Sequence, residues 1–313
     1  MRGAVITGVG IALPDKVVSN DDLAARIDTN DSWIVDRTGI KERHIGGSTA
    51  SLASEAGAKA MAAAGVTADD IDLVILATTS PDRMVPATSA TVQGTLGLKC
   101  GAFDVNSACT GWVSGLIAAH GIINLGGSVD RVLVIGSETL SRIVDWDDRS
   151  TAILFADGAG AAVLEGVDGP GQLLGWHMGA DGNGEGLLYC DHGGCLIMDG
   201  KGIYRMAVRV MVESSMRSLE MAGLTPADVD FVVPHQANLR IIEAANQRLG
   251  IPMDRCSIVL DHTGNTSSAT VPTALEDALR KGRIKDGDVV LFVGFGAGMT
   301  WASALVRWGG TPA

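Results

Sequence analysis

The sequence predicts an α/β fold built from two similar halves, and three observations predict it. Strand-like runs rich in β-branched residues alternate with longer helical stretches, one segment recurs about half a chain later, and 41 glycines are spread through the 313 residues. Alternation of this kind belongs to parallel or mixed sheets covered by helices.

Taken in order, the strand-like runs are Ile71–Ala77, Val129–Gly136, Val229–Val233 and Val289–Val293. The recurring segment is Ala64–Ile75 (AGVTADDIDLVI), echoed 158 residues later by Ala222–Val233 (AGLTPADVDFVV). Both copies read as helix, loop and buried strand. A period of half the chain indicates duplication, because solenoid repeats recur every 20 to 50 residues or so. A chance likeness of two helix-to-strand connections is the plain alternative. A second echo weighs against it: Gly158-Ala159-Gly160 and Gly296-Ala297-Gly298 each precede an apolar run near the end of a half. We place the boundary at 165, giving halves 1–165 and 166–313 that share one core. The glycines fit short loops and close backbone approaches.

Composition excludes several classes. With 46% hydrophobic and 19% charged residues the chain is globular and not disordered. A net charge of -12, from 24 basic against 36 acidic residues, argues against a nucleic-acid partner. No apolar run approaches the ~18 residues of a membrane span, since Leu116–Leu125 carries His120 and Asn124. The segment Met1–Gly8 reads as a strand and not a signal peptide. Five scattered cysteines (100, 109, 190, 195 and 256) show no disulfide framework and suit a reducing compartment, so a cytoplasmic protein is expected.

Three residues stand out chemically. Cys109, in Phe103–Trp112 (FDVNSACTGW), sits where a strand-like start gives way to the helical stretch Val113–Ile123. The positive end of a helix favours thiolate over thiol, which would make a nucleophile near neutral pH; a buried structural cysteine is the plain alternative. His235 directly follows a second-half strand, where ligand sites of α/β sheets collect, although a capping or core histidine reads as well. Asn265, in His262–Ala269 (HTGNTSSA), opens a further helix and could be a simple N-cap. Together they form a kit: a thiolate that accepts an acyl group, and a neutral imidazole and an amide that donate hydrogen bonds to a thioester oxygen as negative charge develops. Decarboxylation of a malonyl thioester is the natural use of the second pair, because losing CO2 leaves an enolate. The loop Val293–Trp301 (VGFGAGMTW) exposes backbone N–H groups that could complete an oxyanion hole with the Cys109 amide. It is no dinucleotide fingerprint, since Met299 occupies the sixth position and too few residues follow.

From Val5 to Arg307 the chain resembles the β-ketoacyl-ACP synthase III family. The matching motifs are Trp33–Ile40 (WIVDRTGI), the Cys109 segment, Phe155–Ala161 (FADGAGA), Pro234–Asn238 (PHQAN), Gly264–Ser267 (GNTS) and the glycine loop. The resemblance implies a five-layered α-β-α-β-α thiolase-like fold of two duplicated halves, a homodimer, and Cys109, His235 and Asn265 as catalytic triad. It implies Cys109 and Gly298 as oxyanion donors, and Trp33 and Arg149 sandwiching the adenine of coenzyme A with Arg37 near its phosphates. By the same resemblance Asn238 orients His235 or the pantetheine arm, Val85 lines the acyl pocket, and Arg205, Arg240 and Arg248 receive an acidic acyl carrier protein. Acyl-CoA and malonyl-ACP would be substrates, with no metal or bound cofactor needed.

Two departures stand against the family pattern. Val85 replaces a common phenylalanine, which would open the pocket to primers longer than acetyl, and Ala297 replaces a glycine. A thiolase is disfavoured, because it needs a second cysteine near the C-terminus and the last one here is Cys256. A secondary-metabolism relative with the same triad, and an inert acyl-carrier docking subunit, are the other readings. Cys190-Asp191-His192-Gly193-Gly194-Cys195 lacks the four ligands of a structural zinc site and reads as a variable loop; His44 reads as a residue that orders a loop.

Overall fold

The structure is a computed structural model and describes residues 2–309; residues 1 and 310–313, the tips of the two expected halves, lie outside it. The first sheet contains β1 (Arg2–Ala12), β2 (Leu73–Ala77), β3 (Gly101–Val105), β4 (Arg131–Thr139) and β5 (Asp157–Asp168), in spatial order β1-β5-β4-β2-β3. The second contains β6 (Leu173–Ala180), β7 (Phe231–Pro234), β8 (Val289–Gly296) and β9 (Thr300–Arg307), in order β6-β9-β8-β7. Laid side by side, β6, β9, β8 and β7 repeat β1, β5, β4 and β2, with the same parallel and antiparallel pairings. A parallel bridge from Cys256 to Val232 stands where β3 lies in the first sheet.

The recurring segment repeats to atomic detail. In each copy a left-handed glycine, Gly65 or Gly223, ends a helix, and a threonine and an aspartate three residues later cap the turn that leads into the strand. Asp70 accepts from Thr67 N at 2.7 Å, and Asp228 accepts from Thr225 N at 2.8 Å. The duplication expected from sequence is thus visible. Position 165 lies inside β5, which runs on to Asp168 because its residues still pair with β1.

Seven helices set the layers: α1 (Asp31–Thr38), α2 (Thr49–Ala64), α3 (Thr88–Thr95), α4 (Gly111–Leu125), α5 (Gly200–Ala222), α6 (Leu239–Leu249) and α7 (Thr270–Arg280). Strand alternation sorts the apolar side chains. On β4, Val132 and Val134 face the central layer while Leu133 and Ile135 face α2; on β8, Val290 and Phe292 point inward while Leu291 and Val293 point towards α5 and α6. Central helices α4 and α7 pack between the two sheets, and Trp112 meets Phe292 edge to face at 5.7 Å across the halves. The result is five layers, α-β-α-β-α. This also corrects the membrane expectation. Ala108–Leu125 has the length and composition of a span after all; it is apolar because it lies between two sheets.

Candidate active site

The nucleophile turn follows from the ladder. After β3 ends at Val105, the Asn106 side chain accepts from Ala108 N at 3.3 Å, Ala108 takes a left-handed φ of 47°, and Cys109 follows within a single 3-10 turn before α4. A non-glycine residue in that region carries strain of the kind found at functional turns. Cys109 is buried. Burial pushes the thiol up to about 12, opposed by a hydrogen bond with Ser267 and reinforced by the Glu138 carboxylate, so burial works against the pull of the helix terminus towards thiolate.

The second half repeats this turn. Asn265 accepts from Ser267 N at 2.9 Å, Ser267 takes a φ of 49°, a 3-10 turn follows, and α7 begins. Asn265 and Asn106 are counterparts, as are Ser268 and Cys109. The second turn is clamped to the first half. Asn265 N donates to Leu154 O and Ala156 N donates to Asn265 O, both at 2.9 Å, while Ser268 Oγ donates to the buried Glu138 at 2.9 Å. Because Oδ1 of Asn265 is occupied by Ser267, its NH2 group is the part left to act as a donor.

His235 extends β7 by one residue, with its N–H on Val293 O at 2.8 Å. Its ring is buried, edge-on to Phe295 at 5.4 Å, and Nδ1 lies 2.6 Å from Thr270 Oγ. Burial lowers its pKa to about 3, so the imidazole is neutral at physiological pH. Cys109, His235 and Asn265 line one cavity of about 530 Å3, together with Phe155, Asn238 and Phe295. Cys109 also lines a second chamber of about 1030 Å3, walled by Leu140, Ile143, Phe155, Leu188 and Leu196. The sulfur thus sits where two chambers meet.

The glycine loop closes over the nucleophile. A side chain on Gly296 would place its Cβ 2.6 Å from Cys109 N, and Gly298, at φ 90°, borders the second chamber beside Cys109. Only glycines allow that approach and that turn.

The remaining expected residues divide. Trp33 has the guanidinium groups of Arg37 and Arg149 over its ring, at 4.1 and 4.5 Å. Asn238 borders the first cavity, but its amide is engaged elsewhere: it donates to Arg37 O at 2.8 Å and accepts from Arg240 N at 2.9 Å as the N-cap of α6. It makes no bond to His235, and of the two expected roles the one towards the pantetheine arm stays compatible with its place on the cavity wall. Arg205, Arg240 and Arg248 are exposed on α5 and α6, two helices that pack together. Val85 is 82% exposed and borders neither chamber within its own chain. Cys190 lines the second chamber and Cys195 is exposed; His44 Nδ1 meets Pro14 O at 2.6 Å. Sequence reading missed Glu138, Ser267 and Thr270. The polar run after Asn265 is the signal available in the sequence for Ser267 and Thr270.

A cysteine from one duplicated half, sharing a cavity with an imidazole and an amide from the other in a thiolase-like fold, fits the class of acyl-transferring condensing enzymes. Profiles of 3-oxoacyl-(acyl-carrier-protein) synthase III and of its C-terminal domain match residues 103–182 and 219–308. β-Ketoacyl-(acyl-carrier-protein) synthase III of Erythrobacter litoralis is 48% identical over 98% of this chain and all of its own. The crystal structure of 3-oxoacyl-(acyl-carrier-protein) synthase III from Aquifex aeolicus superposes with a TM-score of 0.95 at 41% identity, over 98% of this chain and 100% of that one. A priming β-ketosynthase of a polyketide biosynthetic pathway gives 0.92 at 37%, over 98% and 97%. The chain belongs to the β-ketoacyl-ACP synthase III family.

Proposed function

We propose that the chain starts fatty-acid synthesis by condensing an acyl-CoA with malonyl-ACP to give 3-oxoacyl-ACP, CoA and CO2. The observation that carries this reading is the convergence of Cys109, His235 and Asn265 on one cavity, with the opposite polar faces of the imidazole and the amide already engaged. In the first half-reaction the Cys109 sulfur attacks the thioester carbonyl, the N–H groups of Cys109 and Gly298 receive the oxyanion, and the thiol proton leaves with CoA. In the second, malonyl-ACP loses CO2. His235 and Asn265 hold the enolate oxygen, its carbon attacks the acyl-enzyme carbonyl, and the acyl–sulfur bond breaks to release 3-oxoacyl-ACP and a Cys109 thiolate that takes a proton from water.

CoA entry rests on Trp33, Arg37 and Arg149. An adenine stacked on Trp33 takes the place Arg149 now fills, so that side chain swings away on binding. The exposed Arg205, Arg240 and Arg248 form the local basic surface that an acidic carrier protein needs on an acidic enzyme. A homodimer is supported by the free outer edge of β3, with its exposed Phe103, and by the exposed apolar Met84 and Val85. In that assembly Val85 could reach an acyl group only from a second copy. The free state of all five cysteines supports a reducing, cytoplasmic setting.

The test is intact mass after acyl-CoA treatment, followed by CO2 release from malonyl-ACP. Wild type should gain one acyl group and Cys109→Ala none; no gain by wild type would remove the basis of the reading. A panel of primers would separate this activity from polyketide priming, the second reading that the 37% identical ketosynthase favours.

A further inference from the structure

We propose that Thr270 is a positioning residue that sets the tautomer of His235: its hydroxyl donates to Nδ1 and leaves the ring proton on Nε2, facing the cavity. The inference rests on His235 acting as a hydrogen-bond donor to the thioester oxygen, as proposed above.

The geometry is a choice between two acceptors. Thr270 Oγ lies 2.6 Å from His235 Nδ1 and 2.8 Å from Ser267 O, and a hydroxyl has one hydrogen to give. If that hydrogen went to Ser267 O, Nδ1 would have to donate to Oγ, and Nε2 would present a lone pair to the developing enolate. Ser267 O does not need the hydroxyl, because the Thr270 backbone N–H already donates to it. Giving the hydrogen to Nδ1 leaves Thr270 Oγ against Ser267 O at 2.8 Å without a hydrogen between them, but keeps that carbonyl bonded through the Thr270 N–H and turns an N–H towards the substrate. Among the described residues Nδ1 has no other hydrogen-bond partner, so Thr270 is the group that can decide. The ring is neutral by burial, so the tautomer and not the charge state decides whether it donates.

The parallel with Asn265 strengthens the case. Ser267 N occupies Oδ1 of Asn265 and turns its NH2 outward, as the Thr270 hydroxyl occupies Nδ1 and turns Nε2–H outward. One turn of chain, 267–270, thus orients both donors of the site.

The test uses the full-length enzyme. One-bond nitrogen–proton couplings of 15N-histidine-labelled wild type, assigned with His235→Gln, should place the proton on Nε2; a proton on Nδ1 would overturn the proposal whether or not any variant folds. In a Cys109→Ala background, Thr270→Val should lower CO2 release from malonyl-ACP by roughly 10- to 100-fold, short of the 10²–10³ that follows outright loss of an oxyanion donor. Thr270→Ser should restore it. With Cys109 intact, acyl-adduct formation from acetyl-CoA should change less than CO2 release does. CO2 release unaffected by Thr270→Val but abolished by His235→Ala sinks the role of Thr270 alone. If His235→Ala also leaves release intact, the donor role of His235 falls first and takes this inference with it.

Discussion

Glu138 is fully buried at the end of β4, and replacing it with alanine should both destabilise the protein and loosen the catalytic turn. Its carboxylate accepts from Thr79 N at 3.0 Å, Ser80 N at 3.1 Å, Ser80 Oγ at 2.6 Å and Ser268 Oγ at 2.9 Å. Ser80 N has a second acceptor in Thr78 Oγ, but Thr79 N would be stranded at a cost of about 1–3 kcal/mol. Hydrogen bonds to a charged acceptor add about 1.5–3 kcal/mol each, offset by relief from burying a carboxylate, so a net loss of about 2–4 kcal/mol is expected. At roughly 2 °C per kcal/mol for a chain of this length, the melting temperature should fall by about 4–8 °C. Glu138→Gln should cost clearly less. Its oxygen can still accept from the 79–80 amides, and its NH2 can donate to Ser268 Oγ, whose own hydrogen can pass to Ala77 O at 3.0 Å. Differential scanning calorimetry on the three proteins decides. An unchanged melting temperature for the alanine variant, or a glutamine variant as damaged as the alanine one, would refute the view of Glu138 as the anchor between the halves.

Acid should weaken the fold through histidine. Burial holds His120 at about 4 and His235 at about 3, below the ordinary 6.5, so as pH falls the unfolded chain takes up protons that the folded chain refuses, and stability is lost below about pH 6.5. At pH 5 each group costs roughly 2 kcal/mol; urea melts at pH 8 and 5 should show His120→Leu removing about that much of the loss. Trp33→Ala should raise KM for acyl-CoA by about 5- to 100-fold, the worth of one stacked base, with kcat little changed; a KM effect confined to malonyl-ACP would contradict the assignment. Arg248→Glu should raise KM for the carrier protein and flatten its salt dependence while leaving KM for acyl-CoA alone, as steady-state kinetics at two ionic strengths would reveal.

Much of this architecture was legible before any coordinates. Segments 64–75 and 222–233 betray the duplication because a helix stop, a capped turn and a buried strand each impose residue types in fixed order. Cys109, His235 and Asn265 were likewise visible, since each lies where an apolar run meets a polar turn. What escaped detection depends on distance in space and not in sequence. Glu138 looks like a strand terminus until Thr79 and Ser80 from one segment and Ser268 from another arrive around it. Thr270 looks like the first residue of a helix until His235, thirty-five residues earlier, comes within 2.6 Å. The burial of Cys109 escaped for a related reason, because local sequence reveals the helix terminus but not how completely the rest of the chain covers the residue.

The paired turns at Asn106–Cys109 and Asn265–Ser268 bear on how such a site can arise. When two copies of a unit pack about an approximate twofold, any feature at the axis meets its own image, so a strained asparagine turn in an ancestral half would have faced its twin from the outset. Divergence then needed only to put sulfur on one side and leave the amide exposed on the other. Duplication of such a unit is thus a route by which two reaction partners can meet before either is specialised.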